Sequence, residues 1–284
     1  MSLGFDPNAH RQSSLEAWEV ASGGWRARRE LIALWARVVS ERMLGLADPR
    51  PGERVLELAA GTGEMGLMAA ELVAPAGSVV ISDQAEAMIA GARERALELG
   101  VENVRFVVLN AEWIDLPLAS VDVVLCRWGY MLMADPGAAL AETRRVLRPG
   151  GRLALAVWDA IDANPWAGLP ALELAERGLG PGPAGTPGPF ALGSSRRVRE
   201  LLEETGFTEP RVEALDVPRR HGSFEEYWEV TLDLSRSFHD AVMSRSPEEV
   251  QEIHDSLAKR FEPYMRADGS LEIPARTLVA AASA

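Results

Sequence analysis

The chain has 284 residues, 47% of them hydrophobic, which is ample for a core, and Cys126 is its only cysteine, which excludes an intrachain disulfide or a cysteine metal cluster. Its formal net charge of −13, with Lys259 the only lysine, leaves no basic stripe for a phosphate backbone, so nucleic acid is set aside and Arg26-Ala27-Arg28-Arg29 and Arg219-Arg220 read as solvated faces. No run approaches the ~18 apolar residues of a membrane span, and residues 1–6 lack the basic and apolar regions of a signal peptide, so the default expectation is a cytoplasmic protein.

Residues 14–46 read as helix, with Leu31, Leu34, Trp35 and Val38, extended by Arg42-Met43, marking one face and Gly23-Gly24 separating a short first helix around Trp18 from a longer second one. Asp48-Pro49-Arg50-Pro51-Gly52 is a rigid turn into the first strand. From 54 to 158 short apolar strands alternate with helices, the pattern of a parallel sheet with right-handed crossovers. Strands are predicted at about 54–58, 79–82, 104–109, 121–126 and 152–158, with helices near 63–74, 86–99 and 136–147. Asp135-Pro136 has the chemistry of an N-cap and first helical position, and Gly100 that of a left-handed helix end.

The first strand closes on Glu57, and a small-residue turn then runs into a helix. Gly61 and Gly63 lack a Cβ and tolerate positive φ, so backbone there can approach a ligand. The helix beginning near Gly63 offers unpaired N–H groups. Asp83, twenty residues beyond Gly63, closes the second strand. That spacing sets a carboxylate beside the glycine turn, where it can accept both hydroxyls of a ribose.

Residues 159–194, with a glycine- and proline-rich stretch at 178–189, read as a long surface loop around one short helix. Helix resumes at 195–205 and a strand follows at about 210–217. Residues 224–265 read as two helical segments split at Ser246-Pro247, and 271–280 as a returning last strand.

Five segments in this order resemble those of the class I S-adenosylmethionine-dependent methyltransferases. Val55-Leu56-Glu57-Leu58-Ala59-Ala60-Gly61-Thr62-Gly63 resembles the family's glycine-rich motif I, with Ala59 standing for its first glycine. Asp83-Gln84-Ala85-Glu86-Ala87-Met88 resembles the segment after the second strand, and Asn110-Ala111-Glu112-Trp113 the segment after the third. Val121–Trp128 is similar to the fourth strand, and Leu147-Arg148-Pro149-Gly150-Gly151 to the turn before the fifth. The branch that includes the ubiquinone and menaquinone biosynthesis enzymes looks nearest.

The resemblance implies a Rossmann-like α/β fold, a seven-stranded sheet, mostly parallel with an antiparallel last strand. Helical caps are expected at residues 1–50 and 223–265, and the main domain at 51–222 and 266–284. It implies S-adenosylmethionine as cofactor, leaving S-adenosylhomocysteine. Glu57 and the carbonyls of Ala59 and Arg127 would face the amino-acid tail, with Ala60, Gly61, Thr62 and Gly63 forming the turn around it. Asp83, beside Gln84, would hold the ribose. Met88, Ala111 and Trp113 would supply surface to the adenine, and Asn110 or Glu112 would bond its edge.

Methyl transfer from a sulfonium is an in-line displacement on an activated methyl, so aligning the reactants and excluding water can suffice. A base is needed only for a protonated acceptor. His10, His221, His239, His254 and Asp159 sit in no spacing that marks one. Tyr130 and Trp128, after the fourth strand, are the substrate-facing candidates. The Asn/Asp-Pro-Pro-Tyr pattern of amide and nucleobase N-methyltransferases is absent there, which ranks oxygen or carbon ahead of nitrogen. Of eight tryptophans, Trp18, Trp25, Trp128, Trp158, Trp166 and Trp228 fall in segments expected around the cofactor's methyl end, and they favour an apolar, aromatic or cationic small acceptor if two or three line a pocket. A non-catalytic cofactor-binding module and an aminopropyl transferase on the same fold remain alternatives, and a homodimer is left open.

Overall fold

The computed structural model describes residues 5–180 and 186–284; part of the expected 178–189 stretch lies outside the described residues. The chain opens with helices α1 (Pro7–Ala27) and α2 (Arg29–Ala47), continues through β1 (Arg54–Glu57), α3 (Glu64–Val73), β2 (Ser78–Asp83), α4 (Glu86–Leu99), β3 (Val104–Val108) and β4 (Val121–Arg127), and reaches α5 (Pro136–Val146) and β5 (Leu147–Trp158). After α6 (Pro165–Glu176) and α7 (Ser195–Glu204) come β6 (Thr208–Asp216), β7 (Arg219–His221), α8 (Phe224–Leu234), α9 (Arg236–Met243), α10 (Pro247–Phe261), β8 (Leu271–Ile273) and β9 (Arg276–Ser283).

Seven strands form one sheet in the order β3-β2-β1-β4-β5-β9-β6. The pairings among the first five are parallel, and β9 runs antiparallel to both β5 and β6. The order reverses between β1 and β4, and such switch points open a crevice at the C-terminal ends of the strands. Val55, Leu56, Val123, Val124 and Leu125 are buried there because helices cover the parallel strands. Asp135 caps α5 through Ala138 N–H, and Gly100 ends α4 at φ +67°, both as the sequence implies.

The N-terminal helices differ from expectation. α1 starts at Pro7, capped by Asp6, and passes unbroken through Gly23-Gly24 to Ala27. The two glycines are not a hinge: a Cβ on Gly24 would lie 2.2 Å from the Asp233 carbonyl oxygen, so the residue lets α1 press against the end of α8. On α2 the buried stripe is Ile32, Ala36, Val39, Ser40, Met43 and Leu44, while Leu34 and Val38 face outward. Small residues at two of those positions hid this face from a search for large apolar ones.

The C-terminal region is also rearranged. The strand expected over 271–280 is two strands: β8 pairs with β7 in a separate two-stranded sheet, and β9 enters the main sheet from Arg276. Pro274 interrupts the run, since it has no N–H to donate to a ladder. The 224–265 segment holds three helices, split at Ser235 as well as before Pro247. They close a second apolar core around Phe224, Tyr227, Phe238, Ile253 and Phe261, which also takes in Leu174 of α6.

Candidate functional site

The turn after β1 is built from left-handed residues, Ala59 at φ +50°, Gly61 at +56° and Gly63 at +83°. Gly61 donates its N–H to one Asp83 carboxylate oxygen at 2.9 Å, and Ala85 donates to the other at 3.0 Å. Burial raises the Asp83 carboxyl above its ordinary range, opposed by these backbone donors. A carboxylate has about four acceptor sites, so two amides leave capacity for a diol. Ala59, where motif I has glycine, finds room because the facing residue is Gly129: a Cβ there would lie 2.6 Å from the Ala59 methyl.

Beneath the turn, Glu57 Oε2 accepts the Gly66 N–H at 2.9 Å, an approach that a Cβ on Gly66 would block at 2.3 Å. Desolvation pushes the Glu57 carboxyl up to about 8, against the pull of Arg127. Arg127 is buried nearby, donating to Ser40 Oγ at 2.6 Å. Glu57 is thus a sequestered carboxyl facing the cavity, and a cationic ligand group would restore its charge.

α1 forms the roof. Arg11 donates to Glu112 Oε2 at 2.6 and 3.0 Å, and Glu112 Oε1 accepts the Ala134 N–H at 2.9 Å. Glu19 accepts the N–H groups of Glu86 and Ala87 at 2.7 and 3.1 Å, capping α4 from a neighbouring helix. Gln84 donates to Ser14 at 3.1 Å, and Arg26 pairs with Glu94. Trp25 sits over Gly61 and donates to the Leu234 carbonyl at 3.3 Å.

One cavity brings together Glu57, Ala59, Ala60, Gly61, Asp83, Gln84, Met88, Asn110, Ala111, Glu112, Arg127 and Trp128. Asn110 Oδ1 accepts the Glu112 N–H at 2.8 Å, which shapes the rim. Thr62 and Gly63 lie behind the turn, Thr62 bonded to Glu64 and Gly63 opening α3. Trp113 points outward, 81% exposed. Tyr130 is fully buried beneath the loop, its hydroxyl bonded to Thr143 at 2.6 Å and its pKa raised by burial. Burial also pushes the Cys126 thiol up to about 12, leaving it an inert apolar filler.

His10 reaches the rim and donates to the Leu132 carbonyl at 3.0 Å, whereas His239 and His254 lie on α9 and α10 beside Asp240 and Asp255. Asp159 bonds its own successor, Ala160. Trp18 and Trp25 line the cavity, in the segments expected around the cofactor's methyl end, whereas sequence reasoning missed the roof residues Arg11 and Ser14 and the floor contact of Gly66. Arg11 and Ser14 carry no local signal, since their partners Glu112 and Gln84 lie 101 and 70 residues away.

Residues 49–176 match a family model described as a methyltransferase domain. The ubiquinone/menaquinone biosynthesis C-methyltransferase UbiE of Ectopseudomonas mendocina is 40% identical over 136 residues, 48% of this chain and 49% of that protein. The chain spans about half the length of the curated relatives it matches. Among solved structures, the YcgJ protein of Bacillus subtilis superposes with a TM-score of 0.56 at 18% identity, covering 86% of this chain and 97% of that one. The [4+2]-cyclase SpnF superposes with a TM-score of 0.53 at 17% identity, covering 91% and 93%. These two likenesses concern the fold, which recurs around different chemistries. Over residues 49–176, therefore, the chain is similar to a methyltransferase domain, the part of the sequence that carries the five motif-like segments.

Proposed function

We propose that the chain is a methyltransferase that takes its methyl from S-adenosylmethionine and delivers it to a small molecule, at oxygen or carbon ahead of nitrogen. The observation that carries the reading is the Asp83 carboxylate bonded to the Gly61 amide across the switch point, with the buried Glu57 in the same cavity. The cavity's chemistry fits the cofactor. Its ammonium calls for a carboxylate, which Glu57 supplies; its diol calls for paired acceptors, which Asp83 supplies; and its adenine calls for apolar faces, which Met88, Leu109 and Ala111 supply. When bound, the cofactor brings a methyl already activated by a positive sulfur.

The chain's own contribution is then alignment and exclusion of water. α1 and the Arg11–Glu112 pair close the roof, and Trp128 flanks the acceptor side. Tyr130, held by Thr143 with its pKa raised, is poorly placed as a base. A base-free transfer favours an acceptor already nucleophilic at working pH, and the UbiE relatives are named C-methyltransferases. None of the described helices is long and apolar enough to cross a membrane. The reading extends to a cytoplasmic enzyme acting on a small molecule rather than nucleic acid, alone or as a homodimer.

Calorimetric titration with S-adenosylmethionine and S-adenosylhomocysteine, beside Asp83→Ala, tests the proposal. Micromolar-range binding weakened about a hundredfold by the substitution, as for loss of charge-assisted hydrogen bonds, is the expected result. No binding of either ligand to the folded protein would remove the assignment. Turnover with aromatic and quinone-like acceptors then separates an enzyme from a cofactor-binding module, and products carrying an aminopropyl group would name the other transferase.

A further inference from the structure

A cluster of indoles and guanidinium groups leads away from the cofactor cavity. Trp128 lines that cavity and stacks on Trp158 with ring centroids 4.4 Å apart and planes 13° apart. Arg127 lies 5.3 Å from the Trp128 ring. Beyond Trp158, the Arg219 guanidinium is 5.2 Å from that ring, 4.8 Å from Trp35 and 3.4 Å from Trp166.

The two arginines are not equivalent. Arg127 has Glu57 nearby and a hydrogen bond to Ser40, whereas Arg219 has no carboxylate partner among the described residues, Tyr227 being the one titratable group that acts on it. Its Nε is buried without a hydrogen bond, and so are Trp35 Nε1 and both ring nitrogens of His221. Four of the eight buried, unpartnered side-chain polar atoms among the described residues therefore belong to these three side chains, and all four are nitrogens. The three are packed together, with the His221 ring 5.1 Å from Trp35 and 5.3 Å from Tyr227. The Tyr227 hydroxyl is held by its own donation to the Trp166 carbonyl at 2.6 Å, and it carries no negative charge to offset Arg219.

A half-buried cation whose Nε is cut off from water, with no counter-charge beside it, opposes folding, and unsatisfied buried donors do the same. An oxyanion would relieve both, since carboxylate oxygens accept several N–H bonds and pair with guanidinium. Trp128, which lines the cofactor cavity and stacks on Trp158 beside this cluster, offers aromatic surface to a flat body joined to that oxyanion. We infer that Arg219, with Trp35 and His221, anchors the acidic group of the methyl acceptor, which is a planar organic anion of the aromatic carboxylate class. Arg219 is a specificity residue here and not a catalytic one. His221 stays neutral beside it, its pKa lowered to about 4 by burial and by Arg219, so one ring nitrogen donates and the charge comes from arginine alone.

The inference rests on the methyltransferase reading, and the test separates the two. The full chain is saturated with S-adenosylhomocysteine and titrated with benzoate or with neutral benzamide, following tryptophan fluorescence and heat. Benzoate should bind at least about tenfold more tightly, the scale of a charge-assisted pair. Arg219→Met should erase that preference while leaving S-adenosylhomocysteine affinity unchanged and Tm equal or higher. Arg219→Lys, which keeps the charge, should retain the preference even if the methionine variant fails to fold. Equal binding of the two probes, absence of benzoate binding, or a preference that survives Arg219→Met in a folded protein overturns the anchor. Failure of S-adenosylhomocysteine to bind sinks the methyltransferase reading instead, and the same benzoate comparison on the unliganded protein then decides the anchor.

Discussion

The Gly61 amide and the Asp83 carboxylate, 2.9 Å apart, join the turn after β1 to the end of β2 across the switch point of the sheet. The same carboxylate caps the start of the next segment through Ala85 at 3.0 Å. Asp83 therefore sets the shape of the turn and presents acceptors to whatever enters it. Asp83→Asn keeps the size but replaces one acceptor oxygen with an NH₂ donor. We expect cofactor affinity to fall roughly 10- to 100-fold and stability by about 1 kcal/mol. Calorimetry and thermal melts read the two effects separately; unchanged affinity would remove Asp83 from the site.

Glu57 makes stability and binding pull in opposite directions. Its folded pKa of about 8 stands above the ordinary 4.5, so the folded protein keeps a proton that the unfolded chain releases. Stability consequently falls as pH rises from about 4.5 to about 8. Glu57→Gln should flatten that decline in urea melts run across the window. Cofactor binding, by contrast, needs the charged form, so affinity should rise from pH 6 towards 8 while the cofactor's amino group stays protonated. Glu57→Gln should lose that rise and bind roughly 10- to 100-fold more weakly. A pH-independent wild-type affinity would contradict this assignment.

Ala59 and Gly129 form a matched pair. Ala59 is held at φ +50°, a conformation costing about 1 kcal/mol for a residue with a Cβ. Ala59→Gly should raise stability by up to about 1 kcal/mol. Gly129→Ala would drive a methyl against the Ala59 methyl and the Cys126 sulfur, 2.6 and 2.7 Å away. That overpacking should cost ~1–3 kcal/mol and weaken cofactor binding, with the double variant Ala59→Gly/Gly129→Ala recovering part of both. Additive losses in the double variant would mean the two residues do not share the space.

The roof is held by polar contacts. Arg11→Ala leaves Glu112 without its guanidinium, which is one-third exposed, so the stability change should stay within about 1 kcal/mol. The expected effect is kinetic: faster cofactor release, several-fold, and faster amide exchange in α1. Gly24→Ala acts at the other end, where its methyl would meet the Asp233 carbonyl, and should produce the same loosening. If stopped-flow release rates match wild type in both variants, α1 does not control access.

Tyr130→Phe is expected to leave turnover within about twofold while lowering stability by about 1 kcal/mol, the value of its Thr143 hydrogen bond. A loss of kcat with unchanged stability would restore Tyr130 to the chemistry.

What the sequence determined by itself is the βαβ half of the protein. Five strands, the glycine turn, Asp83 at the end of β2 and the helix caps are set by periodicity, caps and spacing within contiguous stretches, and local chain geometry enforces those. Tertiary structure decided the rest. β8 and β9 parted because one run of residues found two sheet partners, and Pro274 made the division. Gly24 looked like a hinge and is a packing contact, because the Asp233 carbonyl that requires it is 209 residues away. Arg11 over Glu112 and Arg219 among Trp35, Trp158 and Trp166 follow the same rule. Each joins elements distant in sequence, and such pairings leave no local period to read, because burial and charge select them only once the chain has closed.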